Sequence, residues 1–272
     1  MGREIFQETM AKTRKQRMNM ANTSKKSKEN VSREDSAHLA VPVKPVKPFD
    51  KLAEAKKNML KSLELPDRYQ GKDFDNFKAD LLGDGADKTI KEIQSYASSF
   101  VKLRKKNNWA LFTGGYGLGK THLAVAAFRE AAVQWAYHMA EKSSNPYYPG
   151  RPDLGRTFHF ITSSDLIQEL RNSYDSELQT EEATLSRYKR SYLLLLDDLG
   201  TERASDWQKE KLHLILNYRY NHLLPTIITT NLDSAELKGQ ITQRLLDRII
   251  EATDNGRYIW QLNGESYRMK SS

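Results

Sequence analysis

The sequence predicts an α/β fold: a parallel five-stranded sheet with helices on both faces. Three observations carry the prediction. Five apolar stretches of strand length alternate with segments of helical pattern. A glycine-rich loop, Gly114 to Thr121, joins the first of these strands to the first long helix. A run of four leucines, Leu193–Leu196, ends in two aspartates, which suits a strand buried on both faces with its polar end at the sheet edge.

The elements follow in chain order. Residues 7–48 contain no aromatic side chain, are rich in Lys, Ser, Asn and Glu, and close in Val41-Pro42-Val43-Lys44-Pro45-Val46-Lys47-Pro48. Such a stretch cannot bury enough apolar surface to offset the entropy of ordering it, and its prolines favour an extended linker. Between Asp50 and Leu63 the pattern changes. Leu52, Ala55, Met59, Leu60 and Leu63 recur at helical spacing, with Asp50 placed to cap the first turn. Residues 1–64 are therefore expected to form a mostly disordered or helical arm, with a flexible linker over 21–49 and an amphipathic helix over 50–63. The greasy face of that helix either packs on the main domain or docks on a partner. Residues 65–272 read as the globular domain.

Within that domain the strand stretches are Trp109–Thr113, Thr157–Thr162, Tyr192–Asp197, Thr226–Thr230 and Tyr258–Leu262. Helical patterns lie between and after them, near 121–139, 164–172, 205–222 and 234–251. The segment Ser143–Arg156, with three prolines and the pair Tyr147-Tyr148, reads as a long exposed loop. Its tyrosines either stack on bases or belong to an ordinary surface.

Residues 114–121 read Gly-Gly-Tyr-Gly-Leu-Gly-Lys-Thr, a complete G-x-x-x-x-G-K-T pattern. Between a strand and a helix this is the phosphate-binding loop of the P-loop NTPases. Glycines let the backbone curl so that its N–H groups converge on phosphate oxygens. The nucleotide-binding set is Gly114, Gly115, Tyr116, Gly117, Leu118, Gly119, Lys120, Thr121 and His122. Lys120 is placed to reach the β- and γ-phosphates and the Thr121 hydroxyl to ligate magnesium. The expected cofactors are ATP and Mg2+. Asp197, at the end of the leucine run, is the second expected metal-binding residue, acting through water because that ion keeps part of its hydration shell. Asp198 is then free to orient and polarise an attacking water.

Asn231 follows the strand Thr226–Thr230. If that strand lies beside the one that leads into the phosphate loop, Asn231 reaches the attacking water or the γ-phosphate; otherwise it is a turn or cap residue. Arg244 and Arg248 are four apart on one helical face. Arg248 is read either as a finger reaching a neighbouring subunit's γ-phosphate, or as a surface residue paired with Asp247 or Glu251. The catalytic set is thus Lys120, Asp198, Asn231 and Arg248.

Charge is unevenly spread. The net +8 is almost all in the arm: residues 1–64 carry 15 Lys/Arg against 8 Asp/Glu, leaving +1 for the rest. A basic arm on a near-neutral globule points to an acidic partner or to a solubilising tail. There are no cysteines, which excludes disulfides, thiol catalysis and cysteine-ligated zinc. No apolar run is long enough to span a membrane, the N-terminus lacks the apolar core of a secretory signal, and Phe6 stands where a myristoylation signal wants Ser or Thr. A cytoplasmic location is expected.

The ordered motifs resemble one branch of the AAA+ ATPases, the DnaC/DnaI helicase-loader and IstB transposition-helper group, over residues 63–270. The similarity rests on Pro66-Asp67-Arg68-Tyr69 and Phe74-Asp75-Asn76-Phe77 before the phosphate loop, Gly114–Thr121, Phe160–Leu166, Leu196-Asp197-Asp198-Leu199-Gly200, Asn217-Tyr218-Arg219-Tyr220, Pro225–Leu232, Leu246-Asp247-Arg248 and Gly264-Glu265-Ser266-Tyr267-Arg268. The resemblance implies a sheet of the AAA+ type without a C-terminal helical lid. It places Asn231 at the sensor-1 position, Arg248 at the arginine-finger position, and Arg268 at a sensor-2-like position among the nucleotide-binding residues. It also implies Mg-dependent ATP hydrolysis, self-association through the ATPase domain, an N-terminal region that grips a DnaB-type hexameric helicase, and contact with single-stranded DNA in replication initiation. The alternative within the group is a helper ATPase that oligomerises on duplex DNA for a transposase. A third reading, a nucleotide-switched adaptor without turnover, has no need of Asp198 or Arg248. Tyr188-Lys189-Arg190 and Arg203 are candidate DNA contacts.

Overall fold

The computed structural model describes residues 48–106, 108–142, 158–173, 180–200, 204–264 and 266. The loop Ser143–Arg156 with its two tyrosines, Arg203 and Arg268 lie outside the described residues. At the centre is a sheet in the order β2-β3-β4-β1-β5: β1 (Ala110–Gly114), β2 (Phe158–Thr162), β3 (Leu193–Asp197), β4 (Thr226–Thr229) and β5 (Ile259–Leu262). Every neighbouring pair is parallel. Each expected strand is present, and the four leucines of β3 are fully buried.

Side-chain alternation along each strand feeds two separate cores. Leu193 and Leu195 of β3, Ile227 of β4 and Phe112 of β1 face one; Leu194, Leu196, Ile228 and Leu111 face the other. The first core is closed by α1 (Pro48–Ser62), α2 (Ala86–Ser98), the short α3 (Phe100–Leu103) and α4 (Lys120–Lys142). The second is closed by α5 (Ser163–Asn172), α6 (Glu181–Arg190), α7 (Asp206–Asn221), α8 (Ser234–Gln240) and α9 (Gln243–Ala252). Alanines at 124, 126, 127, 131, 132, 136 and 140 are all buried along α4, and their small side chains let other helices approach it closely.

Helix α1 packs on α4 with Ala55 and Met59 completely buried. Its apolar face is therefore covered from within the chain, and α1 shares one hydrophobic core with the sheet. The helical pattern at 234–251 is two helices, not one. Asp233 caps α8 and Thr242 caps α9, each accepting a backbone N–H, and Ile241 between them is extended. Among the described residues no helix is long and apolar enough to cross a membrane.

Candidate nucleotide site

β1 and β3 flank β4, so the phosphate loop and the aspartate pair emerge at the same sheet edge with one strand between them. Gly114, Gly117 and Gly119 adopt positive φ, which side-chain-bearing residues rarely reach. Close approach fixes Gly119 as well: a Cβ there would stand 2.5 Å from the ring of Phe77. The loop surrounds Lys120, only 5 % exposed, whose ammonium donates to the carbonyls of Gly114 at 2.9 Å and Gly115 at 2.6 Å.

Thr121 and Asp197 meet across the edge. The Thr121 hydroxyl donates to an Asp197 carboxylate oxygen at 2.9 Å, and the Thr229 hydroxyl of β4 donates to the same oxygen at 2.6 Å. Thr229 also accepts the backbone N–H of Asp198 at 2.9 Å. One hydroxyl thereby fixes both aspartates. Asp198 sits at φ 55°, a left-handed turn at the strand end that aims its carboxylate along the edge, where the Asn231 amide donates to it at 3.3 Å.

Burial pushes the Asp197 carboxyl up to about 6, and the neighbouring Asp198 charge adds to it, against the hydrogen bonds from Thr229 and Thr121 and the charge of Lys120. A desolvated carboxylate beside a hydroxyl is a donor set that suits a small hard cation. Among the described residues no three His, Cys, Asp or Glu side chains gather into a metal cage. A cation at Thr121 and Asp197 therefore needs further oxygens from outside the protein, such as those of phosphates and water.

A cavity of about 430 Å³ opens over the loop, a size that suits a bound nucleotide. Tyr116, Gly117, Leu118, Gly119, Lys120, Thr121, His122, Asp198 and Asn231 line it. So do Arg68, Tyr69, Lys72, Asn76, Phe77 and Lys78 from the segment before α2. These six had no site role in the sequence reading, although the basic spacing Arg68, Lys72, Lys78 next to two aromatic residues was legible. His122 anchors that segment: its Nε2 lies 2.8 Å from the Asp73 carbonyl and its ring meets Phe77 edge-on at 5.2 Å. Burial lowers the pKa of His122 and raises that of Tyr69.

Arg248 is not among the residues lining this cavity. Its guanidinium donates to the Asn217 amide oxygen and lies 5.3 Å above the Tyr220 ring, while Tyr220 donates to Glu251 at 2.7 Å. The alternative pairing with Asp247 or Glu251 is thus replaced by a polar and aromatic seat. Tyr188, expected as a possible DNA contact, is buried on α6 with its hydroxyl donated to Glu169 at 2.6 Å.

Comparison with known proteins agrees with this geometry. The family described as IstB-like ATP binding protein matches residues 153–272. The chain is 28 % identical over 226 residues to the ATP-binding protein of insertion sequence IS5376 from Geobacillus stearothermophilus, covering 81 % of this chain and 76 % of that protein. It is 27 % identical over 230 residues to the phage-like element PBSX protein XkdC of Bacillus subtilis, covering 80 % of this chain and 75 % of the other. Among solved structures, the crystal structure of the DnaC helicase loader superposes with a TM-score of 0.56 at 27 % identity, covering 73 % of this chain and all of that one. The chain is similar to the DnaC/IstB group of AAA+ ATPases. That similarity agrees with the parallel five-stranded sheet and with a phosphate-binding loop between β1 and α4.

Proposed function

We propose that this chain is an AAA+ ATPase of the DnaC/IstB group and acts as an ATP-hydrolysing replicative helicase loader, which binds a DnaB-type hexamer and single-stranded DNA during replication initiation. The observation that carries hydrolysis is the shared hydroxyl of Thr229, which holds Asp197 and Asp198 in fixed relation to Thr121 and Asn231. A pure nucleotide switch needs no second carboxylate held in this way. The likeness to the DnaC helicase loader, whose solved chain is covered entirely, supports the choice of reaction partner.

In this reading the phosphate loop and Lys120 bind the triphosphate, with the ammonium exchanging its bonds to Gly114 and Gly115 for phosphate oxygens. Mg2+, when bound at Thr121 and Asp197, supplies neutralisation of phosphate charge. Asp198 accepts a hydrogen bond from the attacking water and Asn231 orients it. Arg248 serves the site of a neighbouring subunit, and its seat outside its own cavity supports that role.

Capture of a DnaB-type hexamer by the tagged protein in its native host, lost when residues 1–47 are removed, is the expected result; capture of a transposase instead would overturn the loader. Lys120→Ala should abolish ATP binding. Asp198→Asn should spare binding and slow turnover by about a hundredfold or more. Mixing Lys120→Ala with Arg248→Ala subunits should restore part of the turnover, since a shared site can then combine intact residues from both. If Asp198→Asn turns over normally, the catalytic assignment fails.

The second reading is a transposition helper that oligomerises on duplex DNA, favoured by the IstB-like match and the insertion-sequence relative. Tighter binding to duplex than to single-stranded DNA, together with transposase capture, is its signature.

A further inference from the structure

The opposite edge of the sheet, where the strands begin, carries a second set of residues that the nucleotide site does not use. Because all the strands are parallel, the turns that precede them share this edge. Hydrogen bonds knit these turns into one platform. The buried Arg219 guanidinium donates to the carbonyls of Tyr188 and Ser191 before β3 and to that of Pro225 before β4. Asn108 and Trp109, before β1, donate their side-chain N–H groups to the carbonyls of Leu223 and Leu224, and the Trp109 backbone N–H bonds Ala252 near β5.

What this platform presents to solvent is basic with an aromatic stack at its middle. Arg190 stands exposed before β3, and Lys105 and Lys106 stand exposed before β1. Between them, before β4, His222 is exposed and lies flat on Tyr218, with ring centroids 3.9 Å apart and planes 18° from parallel. The His222 ring is held by its Nδ1 against the Tyr218 carbonyl at 2.8 Å, and the neighbouring Leu223 is 47 % exposed. Two carboxylates lie near the β5 end. Asp254 is 3.6 Å from Arg257, and Glu251 accepts from Tyr220. The stretches 186–192, 217–225 and 102–109 contain no acidic residue.

We infer that this edge is a surface for single-stranded DNA, with backbone phosphates held by Arg190, Lys105 and Lys106 and an unpaired base stacked on His222. Cations before β3 and β1, two strand spacings or about 10 Å apart across β4, suit a chain of phosphates. A ring stack with one open face suits a base that is not paired, which is the combination single-strand binders use. A duplex would engage the cations but leave the stack idle. The inference rests on the DNA-binding part of the proposed function and on no residue of the ATP site.

The test is fluorescence anisotropy of labelled oligothymidylate against full-length protein, wild type and Lys105→Glu/Lys106→Glu/Arg190→Glu, at several salt concentrations. The triple variant should bind at least about tenfold more weakly, with a log–log salt slope shallower by about 2, as expected for three lost phosphate contacts on a single strand. His222→Ala should weaken binding to the single strand severalfold and leave duplex binding unchanged. ATP binding should match wild type in both variants, so failure of the ATPase reading and failure of this surface give different results. Unchanged single-strand affinity and salt slope in the triple variant would overturn the inference, as would equal losses on single strand and duplex in His222→Ala. If charge reversal lowers the melting temperature, the neutral Lys105→Gln/Lys106→Gln/Arg190→Gln variant carries the same expectations.

Discussion

Thr229 is the single side chain that ties the two aspartates of the nucleotide site together. Its hydroxyl donates to Asp197 and accepts from the backbone of Asp198, so both carboxylates lose orientation when it is removed. Thr229→Val keeps the shape but strips both bonds, leaving a buried carboxylate with one hydroxyl partner and a backbone N–H without its acceptor. Affinity for Mg-ATP should fall about tenfold or more, the usual cost of removing a group that orients a metal-binding residue. Titration calorimetry with Mg-ATP checks this; Thr229→Ser should recover most of the loss, and an unaffected Val variant would remove Thr229 from the site. A second residue sets a pH response far from the nucleotide. The Ser191 hydroxyl donates to the Arg187 carbonyl, so it must accept from His159 Nδ1, 2.7 Å away. Burial, with the charges of Arg187 and Arg219, lowers His159 to about 4 from an ordinary value near 6.5. The folded state thus binds fewer protons than the unfolded chain between these values. Stability from this residue is present above pH 6.5 and is lost as pH falls toward 4, by about 2 kcal/mol after allowance for solvent screening of a partly exposed ring. Urea midpoints at pH 7 and pH 5 measure the loss, and His159→Gln should flatten it.

At the scale of elements, what could be read in the sequence tracks how strongly each pattern is written. All five strands were legible because their apolar runs are short, continuous and bounded by turn residues, and the leucine run admits few alternatives. Helix α6 was not read from the sequence. It buries only Thr184, Leu185 and Tyr188, too few for a clear helical period, although Thr180 capping the turn before Glu181 and Glu182 was a usable signal. The break between α8 and α9 was missed for the opposite reason: both halves share one apolar period, and only Thr242, in cap position, marks the division. In the site, the phosphate loop and aspartates were legible from local spacing. Thr229 and the segment Arg68–Lys78 were not, because their roles arise from strands and turns brought together across the fold. Arg219 is the clearest case. It is fully buried, and its guanidinium donates to carbonyls from two turns and to the Thr226 hydroxyl at 2.9 Å. Burial lowers it to about 9, yet it remains charged at neutral pH. Lysine has fewer donors and no planar fork to reach the same set. Arg219→Lys should cost about 3 kcal/mol or more, because several buried carbonyls are left without donors. Chemical denaturation reads this directly, and a loss under about 1 kcal/mol would mean the turns hold without the guanidinium.

For the whole molecule, α1 belongs with the sheet, and residues 1–47 are the part proposed to find a partner. Ala55 and Met59 are buried where α1 packs on α4, and Leu63 and Leu65 are buried in the same core. A chain that begins at residue 48 keeps every one of these contacts, whereas one that begins at residue 65 exposes the alanine-rich face of α4 to water. Losing a buried Met and Leu alone removes about 3–6 kcal/mol of burial, a large share of the stability of an ordinary domain. The 48–272 fragment should therefore melt with the full-length protein and bind ATP as tightly, while failing to capture the helicase. The 65–272 fragment should melt far lower or precipitate. Capture lost only in the longer deletion would move the docking site onto α1 and require its buried face to open on binding. A 65–272 fragment that melts like the intact chain would show that α1 is an ornament on the ATPase core, and the first hydrophobic core would then have to close without it.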